Sequence, residues 1–390
     1  MEASQIDGPR VGVPTLRSLF PACERYAYLN TAAGAPGASP VASAVRRAII
    51  DWEAGDFSWV AWEADANVTR RLFAKLIGAA EETVSLAPSL AAAASTVAQS
   101  LPVGRVVVGA HEWRSNLFPW LALSARGFDV AVVPAVDGVV PTDALIEAVD
   151  DRTTLLAVSD TQSATGYRVD VPAICRASHA MGTRVFVDIT QSLGALRFDV
   201  GNGQPDYVAA HGYKWLLCPR GAAWLYVSPE LLAGVMPLAP SWKSAPEPRQ
   251  LYGPPLEYAD SAARLDTSLA WFSWIGARAA LGLVATLDAG EVERKCLALG
   301  AQFRDSVGEL RLPLARQELP SHIQAVHCGP DATGLSVLLK EAGVIAALRA
   351  GTLRVGFHAF NDEADVAAAV DALKRHRTAP GIARGQGEQH

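Results

Sequence analysis

Residues 183–224 read TRVFVDITQSLGALRFDVGNGQPDYVAAHGYKWLLCPRGAAW. In this stretch Asp188 ends the apolar run Val185–Val187, and Lys214 follows 26 positions later among aromatic and aliphatic neighbours. A buried carboxylate and a buried amine each cost free energy unless they have a partner or a chemical task. We therefore predict that Asp188 and Lys214 are a functional pair and not surface charges.

The sequence around this pair alternates short apolar runs with helical patterns from about residue 68 to residue 230. Such alternation predicts an α/β domain with a mostly parallel sheet whose strands are buried on both faces. Functional groups in such sheets lie at the carboxyl ends of the strands, which is where Asp188 is predicted to lie. The predicted strands are Val106–Val108, Val130–Val133, Leu155–Val158, Val185–Val187, Tyr207–Ala209 and Ala222–Val227.

The C-terminal third predicts a smaller α+β unit. A long helix is expected over 271–305, followed by a strand at Ile323–Cys328, a helix at Thr333–Glu341, a strand at Leu353–Phe357 and a helix from 362 to 377 with Asn361 as its N-cap. We divide the chain into a large domain, 31–270, a small domain, 1–30 plus 271–378, and a flexible tail, 379–390.

Composition excludes several classes of function. The 390 residues are 50% hydrophobic with a net charge of −6, so nucleic acid is not an expected partner. No apolar run reaches the roughly 18 residues that a membrane span needs, and MEASQIDGPR does not resemble a signal peptide. The five scattered cysteines contain no CxxC pair, which predicts a reduced, cytoplasmic protein without disulfides or a metal site.

One cofactor requires both members of the pair. Pyridoxal 5'-phosphate (PLP) forms a Schiff base with a lysine, and its ring nitrogen stays protonated beside an aspartate. Gln191, three residues after Asp188, is placed to reach the phenolic oxygen on the same edge of the ring. Burial suits the lysine because it lowers the pKa of an amine.

These segments resemble the class V aminotransferase family of fold-type I PLP enzymes over roughly residues 26–376, most closely the ergothioneine C–S lyase and isopenicillin N epimerase branch. The resemblance rests on three segments, which are YLNTAAGAP, VFVDITQSLG and HGYKW. It implies a large domain with a mostly parallel seven-stranded type of sheet and a smaller C-terminal α+β domain. It also implies that Lys214 holds the cofactor, Asp188 contacts the pyridine nitrogen and Gln191 contacts the 3'-oxygen.

Further matches imply the remaining cofactor contacts. HEWRSNLFPW places Trp113 where desulfurases have a histidine that stacks on the ring, and an indole cannot shuttle protons. Four other segments supply the remaining contacts. These are SLAPSLAA with Ser89 and Leu90, HGYKW with His211 and Tyr213, DTQSATGYRVDV with Ser163, and LDTSLAWF with Thr267. Thr267 is expected to reach the phosphate of a neighbouring subunit, which implies a homodimer with shared sites.

The resemblance also implies the substrate contacts. Arg354, in TLRVGFHAFNDEADV, is expected to bind the α-carboxylate of an amino-acid substrate, since arginine matches a carboxylate with two hydrogen bonds. Asn30 and Trp59 are expected to complete the substrate pocket, although helix packing or a subunit interface is the alternative for Trp59. The loop 346–352, where desulfurases place a nucleophilic cysteine, has none, and Cys328 is better explained as a small buried hydrophobe.

We therefore expect a PLP-dependent lyase that cleaves a cysteine S-conjugate to a thiol, pyruvate and ammonia. Similar enzymes act in natural-product pathways, including lincosamide-type antibiotic biosynthesis. Decarboxylation with oxidative deamination, transamination and epimerisation remain open, because fold and cofactor do not distinguish them.

Overall fold

A computed structural model describes residues 12–246, 251–329 and 332–378, so residues 1–11 and the tail 379–390 lie outside it. The strands are β1 Ala27–Tyr28, β2 Val84–Ala87, β3 Arg105–Gly109, β4 Asp129–Val133, β5 Thr153–Ser159, β6 Arg184–Asp188, β7 Tyr207–His211, β8 Ala223–Val227, β9 Ile323–His327, β10 Val344–Ile345, β11 Ala347–Arg349 and β12 Thr352–Gly356. The helices are α1 Val13–Leu16, α2 Ser39–Ala54, α3 Trp59–Leu76, α4 Leu90–Ser100, α5 Arg114–Leu121, α6 Thr142–Glu147, α7 Val171–Ala180, α8 Pro229–Leu232, α9 Trp271–Ala285, α10 Ala289–Glu309, α11 Ala332–Glu341 and α12 Glu363–Thr378.

Seven strands form the central sheet in the order β2-β8-β7-β6-β5-β3-β4. The pairs from β7 to β4 are parallel, whereas β8 is antiparallel to both β7 and β2. The predicted α/β class and the mostly parallel seven-stranded sheet are therefore confirmed. The short strand β2 was absent from the prediction.

Alternating side chains of each central strand enter two different cores. In β6, Val185 and Val187 pack into the cluster beneath α3 and α9, while Phe186 packs on the other face against Trp120 of α5. Because successive side chains of a strand point to opposite faces, a sheet covered on both sides needs an unbroken apolar run. This requirement explains why the polar Asp188 stands only where β6 ends.

The C-terminal part contains a separate three-stranded antiparallel sheet in the order β11-β12-β9, packed on α10, α11 and α12. Strand β1 pairs in parallel with β10, so the N-terminal segment joins this smaller unit. Helix α9, by contrast, packs against α2 and α3. The domain boundary at residues 270 and 271 remains our prediction.

Two local predictions were wrong. The helix expected over 271–305 is two helices, because Asp288 caps α10 by accepting a hydrogen bond from the backbone N–H of Glu291 at 2.7 Å. The N-cap of α12 is Asp362 and not Asn361, since the Asp362 carboxylate accepts from the backbone N–H groups of Ala364 and Asp365. Asn361 instead donates to Tyr28 O and to the Asp365 carboxylate.

A close backbone approach joins the aspartate and lysine segments. Gly194 has a φ of +105°, and a Cβ there would lie 2.2 Å from the carbonyl oxygen of Trp215. Only glycine tolerates both the positive φ and this contact. The turn after Lys214 is equally tight, with Leu217 at a φ of 62° and its N–H donating to Lys214 O at 3.1 Å.

Candidate active site

A cavity of about 480 Å³ lies at the carboxyl ends of β5, β6 and β7. Its wall includes Ser159, Asp188 and His211, the last residues of those three strands. The parallel register places Ser159 beside Asp188 and Asp188 beside Ala209, so the topology itself brings these groups together. Lys214 enters the same cavity from the turn after β7.

Asp188 is buried and held by the segment that follows it. The backbone N–H of Thr190 donates to its Oδ1 at 2.8 Å, and the Thr190 hydroxyl accepts from the backbone N–H of His211 at 3.0 Å. Burial raises the pKa of Asp188, while the hydrogen bonds from Thr190 and the charge of Lys214 oppose that shift. Such a carboxylate gains free energy from a cationic partner inside the cavity.

Lys214 is buried without an ion-pair partner among the described residues. Burial, opposed by the charge of Asp188 and assisted by three nearby arginines, lowers the pKa of its amine to about 8. The arginines are Arg354, Arg220 and Arg349. Asp188 and Lys214 thus face one cavity without joining each other. The lowered pKa increases the fraction of the amine that is neutral, and this is the form that attacks a carbonyl or accepts a proton.

One end of the cavity suits an anion. Ser89 caps α4 by accepting from the backbone N–H of Ala92 at 3.2 Å, which leaves the N–H groups of Leu90 and Ala91 at the open end of the helix. Both residues line the cavity together with Arg220. A phosphate group fits the donors and the positive charge at this end.

His211 and Tyr213 also line the cavity. Burial, followed by the charges of Lys214 and Arg220, lowers the pKa of His211 to about 4, so its ring is neutral. Its buried Nε2 has no hydrogen-bond partner among the described residues. The Arg220 guanidinium lies 5.4 Å from the centre of the Tyr213 ring. An unpaired buried nitrogen beside an open cavity is typical of a site built for a ligand.

Gln191, Ser163 and Arg354 form one network. Gln191 donates to Ala32 O at 3.0 Å and to Ser163 Oγ at 2.7 Å, and it accepts from Trp215 Nε1 at 2.9 Å. Arg354 donates to Ser163 O and Oγ at 2.6 and 3.1 Å. Since the Ser163 oxygen accepts two hydrogen bonds, its own hydrogen is free to donate into the cavity. Ser163 is therefore better placed than Gln191 to donate to a phenolate oxygen.

Trp113 stands at the entrance. Its side chain is 46% exposed, and its ring centre lies 5.8 Å from Lys214 Nζ. It precedes α5 as the N-cap residue and lines the cavity wall opposite the strands' ends. The predicted stacking on an aromatic ligand is compatible with this position.

Four predicted residues do not line this cavity within the described part of the chain. One of them, Arg354, contacts the cavity residue Ser163 through its hydrogen bonds. Asn30 lies just before the turn that carries Ala33 to the cavity wall, and its buried Oδ1 lacks a described partner. Thr267 follows Asp266, which is bound by Arg70, Leu86 N and Ser85. Trp59 is 40% exposed and packs edge-on against Trp242. Their roles in substrate or partner-subunit binding remain predictions.

The sequence prediction overlooked Glu112 and Ser159. Glu112 accepts from the backbone N–H of Ser159 at 2.7 Å, from the Ser159 hydroxyl, and from Asn116 Nδ2 at 2.9 Å. Burial raises the pKa of Glu112 to about 7 despite these hydrogen bonds. Both residues follow or end an apolar strand, as Asp188 does, and that position was the available signal.

Glu112→Gln should change the pH dependence of stability. Between about pH 4.5 and pH 7 the folded protein retains a proton on Glu112 that the unfolded chain has released, so rising pH lowers the free energy of unfolding. Because the residue is partly exposed, we expect a loss of about 2 kcal/mol across this window that the variant does not show. Urea unfolding at both ends of the window measures it, with Glu341→Gln as a surface control. Parallel pH profiles for wild type and Glu112→Gln would contradict the prediction.

The residues present fit PLP. Asp188 suits a protonated ring nitrogen, Lys214 an aldehyde, Trp113 a ring face, and the α4 N-terminus with Arg220 a phosphate. The described residues contain no cluster of three or more acidic, histidine or cysteine side chains suited to a metal ion. No helix in the described ranges has the length and apolarity needed to cross a bilayer.

The comparisons agree with this geometry. Residues 27–368 match the family model of aminotransferase class-V. An uncharacterised aminotransferase of Bacillus subtilis, YcbU, is 29% identical over 362 residues, which cover 92% of this chain and 96% of that protein. Isopenicillin N epimerase of Streptomyces clavuligerus is 30% identical over 203 residues, half of this chain and 49% of the epimerase. The crystal structure of the Escherichia coli cysteine desulfurase CsdA has a TM-score of 0.80 at 25% identity and covers 93% of this chain and 98% of its own.

Fold and site together define a fold-type I PLP-dependent enzyme. The chain belongs to the class V aminotransferase family, and its cofactor is pyridoxal 5'-phosphate. The family assignment and its agreement with the epimerase-like branch, both predicted from sequence, are confirmed.

Proposed function

We propose that the protein is a C–S β-lyase that cleaves a cysteine S-conjugate to a thiol, pyruvate and ammonia. The observation that carries the proposal is a reactive lysine without a nearby thiol. Lys214 faces the cavity with a lowered pKa, whereas no cysteine lines this cavity or the adjoining one in the described ranges. Sulfur is then expected to leave as a thiol, since the described residues of the two cavity walls include no thiol to accept it.

Cys328, which follows the cavity residue His327, is unsuitable as a sulfur acceptor. Cys328 is half-buried just beyond the end of β9, and its Sγ lies 3.5 Å from Val326 O. Burial raises the pKa of its thiol, which disfavours the nucleophilic thiolate. This finding supports elimination over persulfide transfer.

In the proposed reaction each residue has a defined task. Bound PLP supplies the sink for the electron pair left at Cα when its proton is removed. Lys214 Nζ removes that proton and can return it to the sulfur as the C–S bond breaks. Asp188 keeps a positive charge on the ring nitrogen, and Arg354 holds the substrate α-carboxylate beside Ser163. The released 2-aminoacrylate hydrolyses to pyruvate and ammonia.

The alternative is the same machinery with another outcome, namely decarboxylation coupled to oxidative deamination, transamination or epimerisation. The similarity to isopenicillin N epimerase supports epimerisation as one of these alternatives. Participation in a lincosamide-like antibiotic pathway, as a cytoplasmic homodimer, rests on the family resemblance. Trp59 as a contact for a bulky S-substituent belongs to the same proposal.

A panel of S-substituted cysteines incubated with the holoenzyme, followed by mass analysis, tests the proposal. We expect free thiol and pyruvate in equal amounts. A product aldehyde with one carbon lost, or a racemised substrate with its sulfur intact, would support one of the alternative reactions over the lyase.

Comparing Trp59→Ala with Trp62→Ala on bulky and small conjugates tests the pocket for the S-substituent. Trp62 stacks on Phe57 inside the protein, so only Trp59→Ala should discriminate by substituent size.

A further inference from the structure

A second cavity of about 310 Å³ adjoins the cofactor cavity. Trp113 and Ser163 line both cavities, so the second one is the space that a substrate side chain can occupy. Two arginines, Arg349 and Arg354, line it. The role of Arg354 was predicted from sequence, whereas that of Arg349 was not.

The two arginines differ in their surroundings. Arg354 is buried and held by its hydrogen bonds to Ser163. Arg349, at the end of β11, is exposed and has neither a hydrogen bond nor an ion pair from its side chain in the described part of the chain. An exposed cation with no partner among the described residues, on the wall of a substrate cavity, is available for a ligand.

Strand geometry sets the spacing between them. In the antiparallel pair of β11 and β12, Ala347 lies opposite Arg354, and Arg349 is two residues further along the same face. Diagonal neighbours of this kind lie about 7–8 Å apart, with their Cβ atoms somewhat closer. Two side chains of this length can therefore reach two separate anionic groups of one small molecule.

The charges in the cavity are not balanced by the protein. Burial together with the positive charge of Arg349 lowers the pKa of Arg354 to about 10, and the contribution of Arg349 is repulsion between like charges. Among the described residues of the wall, the one carboxyl group belongs to Glu112, whose oxygens already accept hydrogen bonds from Ser159 and Asn116. An α-carboxylate at Arg354 would neutralise only one of the two positive charges.

We propose that the substrate carries two anionic groups, an α-carboxylate bound by Arg354 and a carboxylate on the S-substituent bound by Arg349. This inference rests on the proposed lyase function and names its substrate class. Arg349 acts here as a specificity residue. It selects for the substituent and has no task at Cα.

The test uses two conjugates of nearly equal size, S-(2-carboxyethyl)-L-cysteine and its neutral amide, S-(3-amino-3-oxopropyl)-L-cysteine. Binding is measured from the change in cofactor absorbance of the holoenzyme, and turnover from thiol release. A charged hydrogen bond predicts tighter binding and higher kcat/KM for the acid by about 10- to 100-fold. Arg349→Gln should remove this preference through KM while leaving the amide unchanged. Arg375→Gln, which removes a distant charge on α12, should keep it.

The outcomes separate this inference from the lyase proposal. Tighter binding of the acid without thiol release would refute the lyase and retain the anion site. Equal thiol release from both conjugates, or equal losses for both in Arg349→Gln, would overturn the anion site and retain the lyase. If neither conjugate perturbs the cofactor spectrum, both ideas fail. Unfolding midpoints of the variants show whether a loss is structural.

Discussion

Lys214→Ala should abolish the visible absorbance of the cofactor and lower kcat by about 10⁴-fold or more, since one side chain both holds PLP and moves the proton. The variant should fold, because it removes a buried amine that lacks an ion-pair partner among the described residues. Absorbance of the dialysed protein and single-turnover thiol release measure the two effects.

Chemical rescue separates chemistry from folding for this residue. Added methylamine should restore part of the activity of Lys214→Ala, because the cavity that held the side chain admits a small amine. Lys75→Ala, on the exposed surface of α3, should behave as wild type. A Lys214→Ala protein that is dialysed free of amines and still links covalently to the cofactor on borohydride reduction would show that another residue holds it.

Asp188→Asn should bind PLP yet lose about 10²- to 10³-fold in kcat, as expected when a charge that stabilises the reacting centre is removed. Asparagine has the size of aspartate and can still accept from Thr190 N–H, but it carries no negative charge to keep the ring nitrogen protonated. The thermal unfolding midpoint should not fall, since burial already disfavours the charge of Asp188.

Matched variants identify the charge as the cause. Asp188→Glu keeps the charge on a longer arm and should recover part of kcat. Asp199→Asn removes a carboxylate outside the cavity wall and should leave kcat unchanged. Wild-type kcat in Asp188→Asn would mean that the ring nitrogen needs no charged partner here.

The cofactor cavity was largely predictable because its residues are marked in the chain itself. Asp188 and His211 end buried strands, Lys214 lies in an apolar segment, and Ser89 directly precedes a helical pattern. A polar group in such a position stands out against its neighbours, and the parallel topology then forces the strand ends together. Thirteen site residues were predicted from the sequence. Eleven of them lie in or next to the two adjoining cavities, and the two exceptions are Thr267 and Trp59.

The prediction of helix ends failed where two neighbouring residues are equally suited to cap or interrupt a helix. Both Asn361 and Asp362 can cap a helix, and the choice follows from Tyr28, which binds the Asn361 amide from a distant strand. Helical composition continues from α9 to α10, and only the hydrogen bond from Glu291 N–H to Asp288 marks the break. Local propensity is too weak a signal to decide between such alternatives.

By itself the sequence determined the fold class and the cofactor and indicated a candidate pair to bind it, because burial patterns and the chemistry of PLP constrain residues along one continuous stretch. The tertiary structure decided which side chains form hydrogen bonds with one another. The contacts of Glu112 with Ser159, of Gln191 with Ser163 and of Arg354 with the same serine join residues from different strands. Such contacts depend on register and on side-chain direction, and a linear sequence carries neither.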